Sequence, residues 1–263
     1  MNRSERFYKS FNDEFIESKK QDFVLPKNYE YEKTTFFGKI SSAIIYGLAV
    51  FFSFFYCTFF LHLKVYGKKK IKKVKSGFFL YSNHTQPVGD VFIPALSLFP
   101  KRIYTVVSLA NYGIPFIGKI LPFLGAIPIQ DSFSGMKKFN SAIESKIKKR
   151  HPIVIYPEAH VWEYYNKIRP FPNTSFKFPV KYNVPAFSQT VTYKKSKIFK
   201  RPIMEVFLDG PFYPQTEESA LKAENLKERI YNKMLDRSKN SDIEFIKYTF
   251  VDKAQNEVRN KDF

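Results

Sequence analysis

Residues 40 to 61 form a largely apolar stretch without a single charge, and no other feature limits the possible folds of this chain so strongly. At roughly 1.5 Å of rise per residue the stretch reaches about the ~30 Å of a hydrocarbon core. A buried core helix could have this length. The density of aromatic residues (Phe51, Phe52, Phe54, Phe55, Phe59, Phe60) and the missing polar face favour insertion into a membrane instead. The stretch begins too far from Met1 to be an ordinary signal peptide. Lys64 and the run from Lys68 to Lys75 follow it, whereas its N-terminal flank mixes acids with bases. By the positive-inside tendency the bulk of the chain is expected on the cytoplasmic side of a membrane. A spanning and a re-entrant segment both fit this pattern.

Four regions follow from this anchor: an amphipathic N-terminal region (1–37), a membrane-inserted helix (38–63), a folded domain (64–237) and a polar C-terminal tail (238–263). In the first, Phe7, Phe11 and Phe15 recur every four residues among charges, the spacing of one apolar stripe on a helix. Residues 4 to 19 are therefore expected to form an amphipathic helix, lying either on a membrane surface or against the domain. In the third, short runs rich in β-branched and aromatic residues alternate with helix-like stretches. Strands are expected at 77–82, 103–108, 125–130, 152–157, 185–193 and 202–208, with helices near 88–99, 134–150 and 216–237. This alternation predicts an α/β fold with a largely parallel central sheet flanked by helices, binding its ligands outside the carboxyl ends of the strands.

Charge narrows the partners. The net charge is +19 and 18% of residues are aromatic, which suits a chain drawn to an anionic surface and able to sit in it. Lysine predominates over arginine and supplies point charge without the bidentate geometry that base reading prefers, so lipid or an acidic protein is expected as partner and nucleic acid is not. The single cysteine, Cys57, allows no internal disulfide and fits a reducing compartment. Of the four histidines (His62, His84, His151, His160) no two stand at metal-ligand spacing, so no metal site is expected. The chain also lacks a P-loop, a dinucleotide fingerprint and a Gly-x-Ser-x-Gly nucleophile elbow.

Three short constellations could carry chemistry. His84 stands at the end of an apolar strand, and Asp90 follows six positions later. A carboxylate so placed can fix the tautomer of an imidazole and favour its protonated form. On one helix the two would lie about 240° apart, so they meet only if His84 sits in a loop and Asp90 opens the helix. Pro87 and Gly89 suit such a loop. Taken alone, Asp90 could equally be a helix cap. The second constellation is the apolar strand that ends in Tyr156-Pro157-Glu158, which puts a carboxylate at the same sheet edge. The third is Gly125-Ala126-Ile127, where glycine permits a close backbone approach, followed by Gln130 and Asp131.

In this order and at these distances, the three pieces resemble the glycerolipid acyltransferase family that includes 1-acylglycerol-3-phosphate acyltransferase. The resemblance runs from about Phe78 to Tyr193. Asn83, His84 and Asp90 are similar to that family's catalytic block, Gly125-Ala126-Ile127 to its Gly-x-Ile block, Tyr156-Pro157-Glu158-Ala159 to its Phe-Pro-Glu-Gly block, and Val184-Pro185-Ala186 to its Val-Pro strand. Three departures stand out. Five residues rather than four separate His84 from Asp90, which requires a bulge at Pro87 to Gly89. Asp131 or Gln130 occupies the position of the second block's Arg. Ala159-His160-Val161 replaces Gly-Thr-Arg in the third. Lys137, Lys138, Lys167, Arg169 or Lys177 could substitute for the two missing cations, because long basic side chains reach a phosphate from several places.

The resemblance implies that His84 takes a proton from an acceptor hydroxyl as it attacks an acyl thioester, while Asp90 orients the ring. Acceptor contacts are expected from Asn83, Gly125, Pro157 and Glu158, from Arg169 as one of the replacement cations, and from His160, whose alternative is a merely structural place. The expected acceptor is a lysophospholipid, 1-acylglycerol-3-phosphate foremost. Acyl-CoA or acyl carrier protein would serve as cosubstrate, with no bound cofactor. The rival expectation is a noncatalytic lipid-binding or scaffold protein whose altered second and third blocks mark a decayed site.

Overall fold

Phe78 to Ser82 and Pro152 to Ile155 are buried at every position, the pattern of strands covered on both faces. They pair in parallel at the middle of a seven-stranded sheet. The computed structural model describes residues 4–16, 22–26, 29–215 and 221–251. Its strands are β1 (Ser4–Tyr8), β2 (Lys64–Tyr66), β3 (Phe78–Ser82), β4 (Tyr104–Val107), β5 (Ala126–Pro128), β6 (Pro152–Ile155), β7 (Ala186–Lys194), β8 (Ile203–Phe212) and β9 (Ile246–Phe250). Its helices are α1 (Phe36–Phe55), α2 (Lys68–Lys72), α3 (Gly89–Leu98), α4 (Ile117–Leu124), α5 (Phe133–Lys148), α6 (Lys177–Tyr182) and α7 (Lys222–Ser238). The sheet order is β2-β8-β7-β3-β6-β4-β5. The five strands from β7 to β5 run parallel, β8 is antiparallel to β7, and β2 is parallel to β8.

Alternation along β3 builds the two layers. Phe78 and Leu80 face a core that also holds Ile93 and Leu98 of α3, with Cys57 and Leu61. Phe79 and Tyr81 face the other core, with Phe139 and Ile143 of α5 and Leu226, Ile230 and Met234 of α7. Each such side chain contributes about 1.5–3 kcal/mol on leaving water. The α/β architecture with a largely parallel sheet is the one the alternation predicts, and all six expected strands and all three expected helices are present, most with shifted ends, residues 216 to 220 of the third helix lying outside the described residues. Helix α4 was not anticipated, because Gly118 and Pro122 disguise its periodicity.

The apolar segment forms α1 and a π-helical turn (Tyr56–Phe60). Thr35 caps it, accepting a hydrogen bond from the Gly38 amide at 3.2 Å. One side of this helix packs lengthwise on the domain. Arg102 bonds the Ser42 hydroxyl (2.7 Å), the Tyr46 hydroxyl accepts from the Ile103 amide (3.0 Å), and the Tyr56 ring meets Phe92 of α3. The opposite side presents Ile40, Ile44, Leu48, Phe51, Phe52, Phe55 and Phe59 to the surroundings.

The N- and C-terminal regions differ from expectation. Residues 4 to 8 are not helical: β1 pairs in parallel with β9, so the region beyond Ser238 is not simply a polar tail. Residues 17 to 19 of the expected amphipathic helix lie outside the described residues, and 10 to 16 are turns and irregular chain. A spacing of four fits a period of two as well as 3.6, and the partner strand decides between them. Arg6 and Tyr8 turn inward here, while Phe7 stays 60% exposed.

Candidate active site

β3 ends at Ser82, and the chain beyond it is fixed one residue at a time. Asn83 is buried with its amide spent on β7: its Nδ2 donates to the Val191 carbonyl (3.0 Å) and its Oδ1 accepts from the Val191 amide (2.8 Å). The backbone of His84 is held at both ends, its amide by Glu158 Oε2 (3.1 Å) and its carbonyl by the Trp162 amide (3.0 Å). The Tyr193 hydroxyl donates to Thr85 Oγ1 (2.7 Å) and accepts from Gln86 Nε2 (3.1 Å), anchoring the next two residues to the end of β7.

The longer His84–Asp90 spacing is absorbed by this loop. Asp90 enters α3 as its second residue, its amide bonded to the Gln86 carbonyl (3.0 Å), and its Oδ2 returns to accept from the Gln86 amide (2.9 Å). The same oxygen lies 2.7 Å from His84 Nδ1. A carboxylate only accepts, so Nδ1 carries the proton in this pair and Nε2 keeps its lone pair. Tyr156 stacks on the imidazole at 4.3 Å between ring centres, and its hydroxyl donates to the Asp90 carbonyl (2.5 Å). The His84 side chain keeps 19% of its surface exposed, against 3% for Asp90. Burial raises the Asp90 carboxyl above its ordinary range, only partly offset by its bonds to His84 and the backbone. Burial likewise raises the Tyr156 hydroxyl, with the Asp90 charge adding to it.

Glu158 stands at the same edge, but in a role the sequence did not suggest. Its side chain and that of Arg169 are 0% and 1% exposed. Oε1 accepts from the Arg169 amide (2.9 Å), and Oε2 accepts from Arg169 Nη2 (3.1 Å) as well as from the His84 amide. The guanidinium also bonds the carbonyls of His160 and Phe11 and lies over the Trp162 ring at 4.8 Å. Expectation placed acceptor contacts on Glu158, Arg169 and Asn83. In the structure the Asn83 amide and the Glu158 carboxylate are bonded within the protein, as are the Arg169 backbone amide and both of its Nη atoms, while its buried Nε has no hydrogen-bond partner.

Gly125 lies apart from these residues. It opens β5, whereas His84 and Glu158 follow the carboxyl ends of β3 and β6, so the parallel register puts it at the opposite sheet edge. Its φ of +89° and the Ile103 carbonyl, 2.6 Å from any added Cβ, account for the glycine without a ligand. Pro157 is half-buried between Tyr156 and Glu158. His160 is half-buried with Nδ1 3.7 Å from Glu14 of the N-terminal segment. Lys137, Lys138, Lys167 and Lys177 are exposed. The sequence reading missed Tyr156, Trp162 and Tyr193 as contributors. For Tyr156 a signal was present, an aromatic residue immediately before a strand-end Pro-Glu.

The family model described as Acyltransferase matches residues 62–194. No curated protein matches the sequence. Among solved structures, the chain is similar to the 1-acyl-sn-glycerophosphate (LPA) acyltransferase PlsC from Thermotoga maritima, with a TM-score of 0.56 over 78% of this chain and 84% of that one. At 16% identity that likeness is one of fold. The matched residues make up just over half of the sequence and contain His84, Asp90 and Glu158, and the chain belongs to the acyltransferase family.

Proposed function

We propose that the protein moves a fatty acyl group from a thioester to the hydroxyl of a lysophospholipid at a membrane surface. The observation that carries this reading is the His84–Asp90 pair at the carboxyl edge of the sheet, with Nδ1 engaged and part of the ring exposed. In the proposed step Nε2 accepts the acceptor's O–H proton as the oxygen bonds to the thioester carbonyl carbon. The tetrahedral intermediate then collapses, the C–S bond breaks, and the imidazolium returns its proton to the departing thiolate. Asp90 stabilises the transient imidazolium, and its buried charge acts more strongly there than it would in water. Asn83, Glu158 and Arg169 serve as positioning residues that hold the His84 backbone.

The likeness to PlsC supports 1-acylglycerol-3-phosphate as acceptor. Arg169 is occupied by Glu158, so the acceptor phosphate would rest on other cations. Helix α1 supports attachment within the membrane interface: it packs along the domain from Ser42 to Tyr56 and turns one apolar stripe outward, which suits embedding parallel to the surface. The domain is assigned to the cytoplasmic side because the lysines follow the apolar segment.

Incubation of the purified protein with a panel of lysolipids and labelled acyl thioesters, on coenzyme A and on acyl carrier protein, tests the reading. A diacyl product identified by mass is the expected result. No product from any pair, with the folded state intact, would favour the noncatalytic lipid-binding alternative.

A further inference from the structure

Two lysine-rich runs stand out in the sequence, and the fold puts them at opposite ends of the sheet. The first, Lys68 to Lys73, lies near the far edge: Lys70 Nζ sits 3.9 Å from Asp209 in the last part of β8. The second occupies the turn between β7 and β8. Within eight residues, 194 to 201, it carries Lys194, Lys195, Lys197, Lys200 and Arg201. β7 continues past Gln189, the partner of Ser82, so this turn rises from the carboxyl edge where His84 stands. Tyr193, immediately before it, makes the hydrogen bonds that hold Thr85 and Gln86.

The turn pairs its charge with apolar exposure. Ile198 is 85% exposed and Phe199 44%, although the two are flanked by cations on both sides. A solvated loop gains nothing from such residues. In a lipid interface they insert, while the neighbouring Lys and Arg side chains extend to the headgroups. The turn is also joined to the apolar helix. Phe199 stacks on His62 at 3.5 Å, just beyond the exposed Phe59 and Phe60, and the Met204 amide donates to the Leu61 carbonyl (3.2 Å). Exposed apolar surface thus passes from α1 through Phe59 and Phe60 to the basic turn without leaving this corner of the molecule.

We infer that the β7–β8 turn is an anionic-lipid docking surface that seats the active-site edge on a negatively charged bilayer, with Ile198 and Phe199 inserted and the cations at phosphate level. A membrane occupant fits better than an acidic protein because the surface is continuous with the lipid-suited stripe of α1. The inference concerns binding, so it stands or falls separately from acyl transfer.

Co-sedimentation of the full chain with phosphatidylcholine vesicles, and with vesicles containing phosphatidylglycerol, reads the surface directly. The wild type should bind the anionic vesicles about tenfold or more tightly, and added salt should shrink that preference. Replacing Lys195, Lys197, Lys200 and Arg201 with Gln should abolish the preference and leave binding to neutral vesicles intact. All four are exposed, and an unchanged melting temperature confirms that folding survives. Ile198→Ser should weaken binding to both vesicle types. If the fourfold variant keeps the anionic preference, the proposal is wrong. It is equally overturned if that variant binds vesicles normally but loses activity in detergent with an acyl-carrier-protein donor alone, since the surface would then be a dock for an acidic protein.

Discussion

Asp90, Tyr156, Glu158 and Trp162 each hold a different part of His84, and none of them shares a sequence neighbourhood with all the others. The Glu158–Arg169 pair is the most costly of these supports, because both charges are withdrawn from water. Arg169→Met would leave Glu158 as a buried charge without a counterion and should cost about 3–5 kcal/mol of unfolding free energy in a urea titration. Adding Glu158→Gln should recover more than half of that loss, and an additive double variant would contradict the assignment. Ala159 carries a different strain. It stands in the left-handed region at φ +65°, where the family's third block has glycine. Ala159→Gly should therefore stabilise the protein by about 1 kcal/mol in the same titration. Sequence could pair His84 with Asp90 because only a short loop separates His84 from the helix that Asp90 opens. It could not assign Arg169 to Glu158, because nothing in the spacing shows that a cation eleven residues on folds back into a buried pocket.

Among the elements, the strap ahead of α1 ties to β5 and α5, and the strand pair β1–β9 packs against Trp162 and Glu163 beside the site. Tyr31 donates to the Pro128 carbonyl (2.9 Å) and accepts from Gln130 (2.7 Å), while Glu32 receives Ser145, Lys146 and Lys149 of α5 and the turn after it at 2.6–2.8 Å. Partial burial of Glu32 works against its ionisation, but those three bonds outweigh it and lower the carboxyl to about 2, against an ordinary value of 4.5. A depressed carboxyl adds stability above its unfolded value and loses it as pH falls through the folded value. Glu32→Gln should thus be about 1–2 kcal/mol less stable than wild type at pH 7, after allowance for solvent screening. That gap should narrow below pH ~4.5 and close near pH ~2, and an equal gap at every pH would contradict this origin. The β1–β9 pair shows why long-range pairing escaped the sequence reading. Ile246, Tyr248 and Phe250 do alternate with Lys247 and Thr249, but five residues in a charged surrounding give a weak signal until their partner, more than two hundred positions away, is known.

On the scale of the whole molecule, strand runs and helix periods carried most of the architecture, since central parallel strands must be apolar throughout and their crossovers must be helical. The carboxyl edge of that sheet collects His84, Asp90, Tyr156, Glu158 and the basic turn from three separate stretches of chain, and helix α1 adds an apolar face alongside. The proposed base, its orienting acid and the lipid-suited surface thus share one corner, the arrangement that the proposed interfacial acyl transfer requires. The most direct test of the catalytic assignment is the turnover number with the best lysolipid and thioester pair for wild type, His84→Ala and Asp90→Asn, each checked for an unchanged melting transition and equal vesicle binding. Loss of the general base should lower turnover by roughly 10²–10⁴ in His84→Ala, and Asp90→Asn should show a large part of that loss. Turnover in His84→Ala within a factor of about two of wild type would contradict the account, because it would leave the imidazole without a part in the reaction.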